Sequence, residues 1–198
     1  MLLALPDGSQ VSGTEVLLHA CCAPCSSSVI ECMLQNGMRP TVFFCNPNIY
    51  PFKEYEIRKE ELKRFLREGN VPYFDEEYNH EEWLAKVHGY ESEPERGKRC
   101  EKCFLFRMLR TAEYAVKHNF RWFTTTLSSS RWKDYNQIVE AGRSAAAVYS
   151  GVSFWEQNWR KGGLQQRRAE LLREKQFYNQ LYCGCEYSLD SAIKKQKR

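Results

Sequence analysis

The chain has 198 residues, 42% hydrophobic and 27% charged, which is the mixture of one globular domain with a hydrophobic core. No apolar run is long enough to span a bilayer, and residues 1–12 lack the basic start and long apolar centre of a secretory signal, so a cytoplasmic protein with no membrane partner is expected. Net charge is +4, too small by itself to establish nucleic-acid binding, and nine cysteines in a reducing compartment argue against a disulfide framework and for metal or thiol chemistry.

Residues 1–13 read as a loose leader with turn signals at Asp7-Gly8 and Ser12-Gly13. A buried strand is expected over 15–20, ending in the thiol-rich Cys21-Cys22-Ala23-Pro24-Cys25. Pro24 then starts a helix that runs to Asn36 and is closed by Gly37. Residues 41–45 are β-branched and aromatic, a second strand that stops at the turn Asn46-Pro47-Asn48. Residues 52–68 form an amphipathic helix with Tyr55, Leu62, Phe65 and Leu66 on one face. A short third strand follows at 71–74. Residues 76–99 are polar and irregular, with a short helix near Trp83-Leu84. Cys100 and Cys103 head another helix, whose buried stripe is Leu105, Met108, Leu109, Ala112 and Ala115. A fourth strand over 121–126 leads into Leu127-Ser128-Ser129-Ser130, and a helix follows over 132–149. A fifth strand is expected at 152–155 and a last long helix over 164–181, with Cys183-Gly184-Cys185 directly behind it. Residues 190–198 form a basic tail.

Strands and helices alternate, so the expected fold class is α/β: a parallel sheet flanked by helices, in one domain over 14–189. Ligands in such sheets sit beyond the carboxyl ends of the strands. Cys21-Cys22, Asn46-Pro47-Asn48 and residues 126–130 all lie there.

Cys100-x-x-Cys103 alone fits zinc knuckles, redox pairs and iron–sulfur sites. The combination of Cys21-Cys22, Cys100-x-x-Cys103 and Cys183-x-Cys185 is more specific. Six thiols exceed the four that one tetrahedral zinc or one four-iron cluster takes, so either one pair is catalytic or a second metal sits beside the first. Adjacent residues in extended backbone point to opposite sides, which argues against Cys21 and Cys22 serving one metal alike. Cys25 is either a seventh ligand or only the start of its helix. Cys32 and Cys45 read as small buried hydrophobes, and His19 as a satisfied core residue. Arg160 and Lys161 beside Trp159, with Arg167, Arg168, Arg173 and Lys175, suit an RNA backbone or else a solvated face. Two other uses of the thiols stay open: structural zinc with spare cysteines, and a metal-free redox dithiol.

The motifs Leu18-His19-Ala20-Cys21-Cys22-Ala23-Pro24-Cys25, Phe44-Cys45-Asn46-Pro47-Asn48-Ile49, Arg99-Cys100-x-x-Cys103, Phe123-Thr124-Thr125-Thr126-Leu127 and Tyr182-Cys183-Gly184-Cys185 resemble the cobalamin-independent epoxyqueuosine reductase QueH family over residues 16–189. The resemblance implies reduction of epoxyqueuosine to queuosine at the wobble position of a tRNA with a GUN-type anticodon. It implies a 4Fe-4S cluster, an external electron donor and no cobalamin, on a Rossmann-like sheet related to ATP pyrophosphatases and tRNA thiolases. The Ser-Gly-Gly-x-Asp-Ser phosphate loop of those relatives is replaced by Ala20-Cys21-Cys22-Ala23-Pro24-Cys25, so no ATP use is expected.

Converting an epoxide to an alkene takes a pair of electrons and a pair of protons and releases water. The surplus thiols suggest a mononuclear iron or zinc beside the cluster, acting on the epoxide as a Lewis acid. The expected metal ligands are Cys21, Cys22, Cys100, Cys103, Cys183 and Cys185, with Cys21 and Cys183 turned to the second metal and Tyr182 as a proton donor. Asn46, Asn48 and Thr125 are expected at the substrate, although turn shape and β-propensity explain them as well. Arg160 and Lys161 are expected on the anticodon backbone. Two competing readings remain: an iron–sulfur-dependent tRNA thiolation enzyme, and a zinc-stabilised RNA-binding module.

Overall fold

β1 (Glu15–His19) lies at the centre of the sheet, and Val16 to His19 are wholly buried, as a strand covered on both faces requires. The computed structural model describes residues 1–196 and places β1 in parallel register between β2 (Arg39–Phe44) and β4 (Trp122–Thr125), with Leu18 opposite Val42 on one side and Thr124 on the other. The remaining strands, β3 (Tyr73–Asp75) and β5 (Ser153–Phe154), form the edges, giving the order β3-β2-β1-β4-β5, all parallel. Strand order reverses at β1, so the crevice beyond the carboxyl ends of β1 and β4 is the topological switch point where α/β folds bind ligands.

Side chains alternate across the strands and divide the core in two. Val16, Leu18, Val42 and Phe44 pack with α1 (Ala23–Gln35), α2 (Phe52–Glu68) and α6 (Leu164–Glu174). Leu17, Phe43 and Phe123 pack on the other face with α4 (Lys98–Lys117) and α5 (Tyr135–Val148). The short helix near Trp83 is α3 (His80–Val87), N-capped by Asn79, whose side chain accepts from the Glu82 amide. No helix among the described residues is long and apolar enough to cross a membrane.

Several boundaries differ from the sequence expectation, each for a local reason. The last long helix stops at Glu174 rather than continuing to 181. Gln176 adopts the left-handed conformation, which turns the chain and drops Phe177 into the core against Phe65. A further helix, α7 (Glu186–Gln196), then takes up most of the expected basic tail; Lys197 and Arg198 lie outside the described residues. α5 begins at Tyr135 rather than 132 because the Asp134 carboxylate accepts from the amides of Asn136 and Gln137. β4 ends at Thr125, and a 3-10 turn occupies Thr126–Ser129. The leader has no helix or strand but packs down: Leu3 and Leu5 are buried, Leu3 donates its amide to Asn36 at 3.0 Å, and Trp155 donates its indole N–H to the Ala4 carbonyl at 3.2 Å.

Candidate metal centre

The chain leaves β1 through a bend at Cys21, and Cys22, in extended conformation (φ −172°, ψ 158°), caps α1 with Pro24 in its first turn. This reversal from strand to helix overrides the opposite-sides rule for neighbouring residues. The sulfurs of Cys21, Cys22 and Cys25 all lie within 4.8 Å of one another, and those of Cys21 and Cys22 are 3.8 Å apart. Cys25 therefore belongs to the site by position as well as by helix chemistry. Hydrogen bonds from Cys22 and Cys25 hold the Cys21 thiol well below its usual pKa, while sharing with Cys21 pushes Cys22 up. The amide end of α1 favours negative charge here as well.

The second sulfur pair stands on the first turns of α4. Cys103 is buried with Trp83, Val87, Phe106 and Cys185, and Cys100 packs against the apolar group that contains Cys21, Cys22 and Cys25. The Arg96 amide donates to the Cys100 sulfur at 3.3 Å. Burial, reinforced by the neighbouring charge of Cys103, pushes Cys100 up to about 12; burial and Cys183 push Cys185 up to about 11. Cys103 and Cys185 share one buried apolar group, which brings the second and third thiol segments together, and the charges of Cys183 and Cys185 add to the upward push on Cys100.

The third pair is fixed by its backbone. Tyr50 donates its amide to the Gly184 carbonyl at 2.8 Å, Arg58 donates to the Cys183 carbonyl at 3.0 Å, and Ser188 Oγ donates to the Cys185 carbonyl at 2.9 Å. Gly184 (φ +139°) sits where an added Cβ would come within 3.2 Å of Asn48 and Arg58, so this link between the cysteines has to be glycine. Gln180 Nε2 donates to the Cys22 sulfur and so ties this segment to the first. The close sulfur trio is Cys21, Cys22 and Cys25; Cys100 packs on the same apolar group, and Cys103 and Cys185 share a neighbouring one.

Cationic side chains that composition did not single out surround the sulfurs. Burial alone would lower the Lys133 pKa, but Cys183, Cys21 and Cys25 outweigh it and raise it, so Lys133 stays an ammonium at the thiol site. Arg107 is buried and donates to the Cys45 carbonyl at 3.3 Å and to Asn46 Oδ1. Arg58 is buried against Glu54. The one available signal for Lys133 was its place on the loop that follows β4, at the ligand-binding edge of the sheet.

The expected substrate residues have divided. Asn46 Nδ2 donates to the Ala20 carbonyl at 2.8 Å, and with Arg107 on its Oδ1 it ties the β2 turn to the end of β1. Asn48 is buried with its Oδ1 unpartnered. Thr125 is buried, and its hydroxyl meets His19 Nδ1 at 2.8 Å and accepts from the Leu127 amide at 3.1 Å. His19 is satisfied on both nitrogens, with the Cys45 carbonyl at 3.1 Å from Nε2, and burial pulls it down to about 3. Tyr182 donates its hydroxyl to the Tyr50 carbonyl, and burial holds it up to about 12. Arg160 Nη2 holds the carbonyls of Ser130 at 2.6 Å and Lys133 at 2.7 Å, whereas Lys161 is exposed.

All nine cysteines are free of disulfides. The sulfurs of Cys21, Cys22 and Cys25 meet at the ligand-binding edge with Cys100 packed on the same apolar group, Cys103 and Cys185 share a neighbouring one, and an ammonium and two guanidiniums offset thiolate charge. That donor set suits an iron–sulfur cluster with sulfur to spare. The sequence profile described as epoxyqueuosine reductase QueH matches residues 16–191, which contain every one of these sulfurs. The chain belongs to the epoxyqueuosine reductase QueH family. Membership makes it an oxidoreductase. Among its relatives, the epoxyqueuosine reductase QueH of Haemophilus influenzae is 49% identical over 192 residues, covering 97% of this chain and 77% of that protein. The QueH of Acinetobacter baylyi is 46% identical over 94% of this chain and 84% of its own length, and that of Thermotoga maritima 38% over 88% and 90%. Two solved structures share the fold at low identity. The U34-tRNA thiolase NcsA from Methanococcus maripaludis, solved with its [4Fe-4S] cluster, aligns over 95% of this chain and 66% of its own with a TM-score of 0.55 at 10% identity. The predicted tRNA methyltransferase subunit from Methanocaldococcus jannaschii aligns over 79% and 75% with a TM-score of 0.54 at 11% identity. These likenesses speak to the fold alone.

Proposed function

We propose that this protein reduces epoxyqueuosine to queuosine at the wobble position of a tRNA with a GUN-type anticodon, in the cytoplasm. The observation that carries the reading is the buried Cys21, Cys22 and Cys25 sulfur trio at the switch point of the sheet of a QueH-family chain, with Cys100 packed on the same apolar group. Cys21, Cys22, Cys25, Cys100, Cys103, Cys183 and Cys185 are the residues that would hold a 4Fe-4S cluster and an adjacent metal ion, iron or zinc. When bound, these groups would supply single electrons passed on from an external donor and a Lewis acid for the epoxide oxygen.

The chain's own side chains bind and orient. The Lys133 ammonium offsets thiolate charge and can donate to an oxygen of the substrate ring. Asn48 Oδ1, buried without a partner, is an acceptor for a ring hydroxyl, since an unmet buried acceptor is costly. Asn46 and Thr125 act one step back, on the Ala20 carbonyl and on His19. Tyr182 keeps its proton at neutral pH but directs it at Tyr50, so a donor role for it requires that contact to open. Lys161 is exposed for a phosphate, while Arg160 supports the loop beneath. Neither cobalamin nor ATP enters this scheme.

The test is anaerobic incubation of metal-loaded protein, a chemical reductant and tRNA carrying epoxyqueuosine, followed by mass spectrometry of the digested nucleosides. Conversion of epoxyqueuosine to a species lighter by one oxygen atom supports the reading; unchanged epoxyqueuosine contradicts it.

A further inference from the structure

We propose that Trp132, with Arg131 packed on its ring, is a stacking platform for an unpaired RNA base next to the nucleotide under reduction. The inference rests on the tRNA reading above and names the surface that receives the flanking base. Trp132 is 68% exposed, whereas each of the other four tryptophans is at most 6% exposed. Tryptophan leaves solvent when packing alone decides, so an exposed indole at a ligand-binding edge calls for a partner.

The tip that carries Trp132 is held rigidly. Arg160 takes the carbonyls of Ser130 and Lys133 at 2.6 and 2.7 Å. Arg96 takes the carbonyls of Trp132 at 2.9 Å and Arg131 at 3.3 Å. Every carbonyl from Ser130 to Lys133 therefore accepts from an arginine of a distant segment. The Asp134 cap of α5 fixes the far end. A loop pinned in this way presents its aromatic ring with little ordering entropy left to lose on binding.

The same anchors join the tip to the sulfur site. The Arg96 amide donates to the Cys100 sulfur at 3.3 Å while its Nε holds the Trp132 carbonyl at 2.9 Å. One arginine thus spans from the Cys100 sulfur to the backbone of the solvent-facing Trp132. The Arg131 guanidinium lies 4.9 Å from the Trp132 ring centroid and adds positive charge where a phosphate backbone would pass. An aromatic ring with an attached cation, set a fixed step from the reacting site, is the chemistry that holds a single-stranded base and its phosphate.

The experiment uses the metal-loaded full chain and a labelled anticodon stem-loop RNA, with binding read by anisotropy. Trp132→Ala is expected to bind about 5- to 100-fold more weakly, and Trp132→Phe to recover most of that loss, as sequence-tolerant stacking requires. Wild-type affinity in Trp132→Ala, with the wild type itself binding, overturns the platform and leaves the functional reading standing. Failure of the wild type to bind the stem-loop overturns both. Turnover is then compared with a chemical reductant and with a protein electron donor. A Trp132→Ala defect seen only with the protein donor would assign the surface to that donor and overturn the base-stacking assignment.

Discussion

Arg58 on α2 donates through Nη1 to the carbonyl of Cys183 at 3.0 Å, across 125 positions of sequence. Its Nη2 reaches the Tyr182 carbonyl at 3.3 Å, and its Nε pairs with Glu54 at 2.8 Å. The guanidinium is 2% exposed, so it holds the third sulfur segment from inside the protein. Arg58→Met leaves Glu54 buried without its partner, a loss of about 3–5 kcal/mol. A lower thermal midpoint is expected, together with fewer metal ions per chain after anaerobic purification. Wild-type metal content in this variant would show that the Cys183 segment is positioned without Arg58.

Asn46 joins the β2 turn to the last residue before Cys21, with Nδ2 on the Ala20 carbonyl and Oδ1 accepting from Arg107. Asn46→Ala strands a buried guanidinium and a carbonyl and should cost about 1–3 kcal/mol in urea unfolding. Full stability combined with lost activity would instead place Asn46 on the substrate.

How much of this was legible in the sequence follows from the range of the forces involved. The alternation of apolar strands with amphipathic helices gave the parallel sheet, because burial periodicity is local. The three thiol pairs stood at strand and helix ends and could be assigned to one edge. The place of Cys25 is not legible locally, because only the bend at Cys21 swings the sulfurs of Cys21 and Cys22 together beside it. Lys133 was missed because its importance comes from sulfurs supplied by remote segments. The role expected of Arg160 shifted for the same reason, since its carbonyl partners lie 27 and 30 positions away. Helix α6 looked continuous to 181 because no glycine or proline marks its end; the left-handed residue that breaks it is Gln176.

His19 provides a pH signature. Burial pulls it down to about 3, with the Arg107 charge adding to the effect, so it is neutral when folded and takes up a proton when unfolded below about pH 6.5. Between these values the unfolded chain binds more protons, and stability falls as pH falls. The slope expected from this group is on the order of 1.4 kcal/mol per pH unit below pH 6. In urea titrations from pH 7 to 4, His19→Gln should lose that share of the slope. Parallel curves for variant and wild type would show that His19 does not carry it.

Cys25 and Cys32 both lie on α1 and are both buried, but only Cys25 shares the sulfur trio. Cys25→Ala is expected to lower bound metal, while Cys32→Ala keeps it at the wild-type level. Equal metal content in the two variants would remove Cys25 from the site.

The most direct measurement is iron, zinc and acid-labile sulfide per chain in anaerobically purified protein, with the Cys100→Ala variant alongside. A brown protein with about four or more irons, matching sulfide and a Cys100→Ala variant that has lost them is the predicted result. A colourless protein with stoichiometric zinc and no labile sulfide would contradict it.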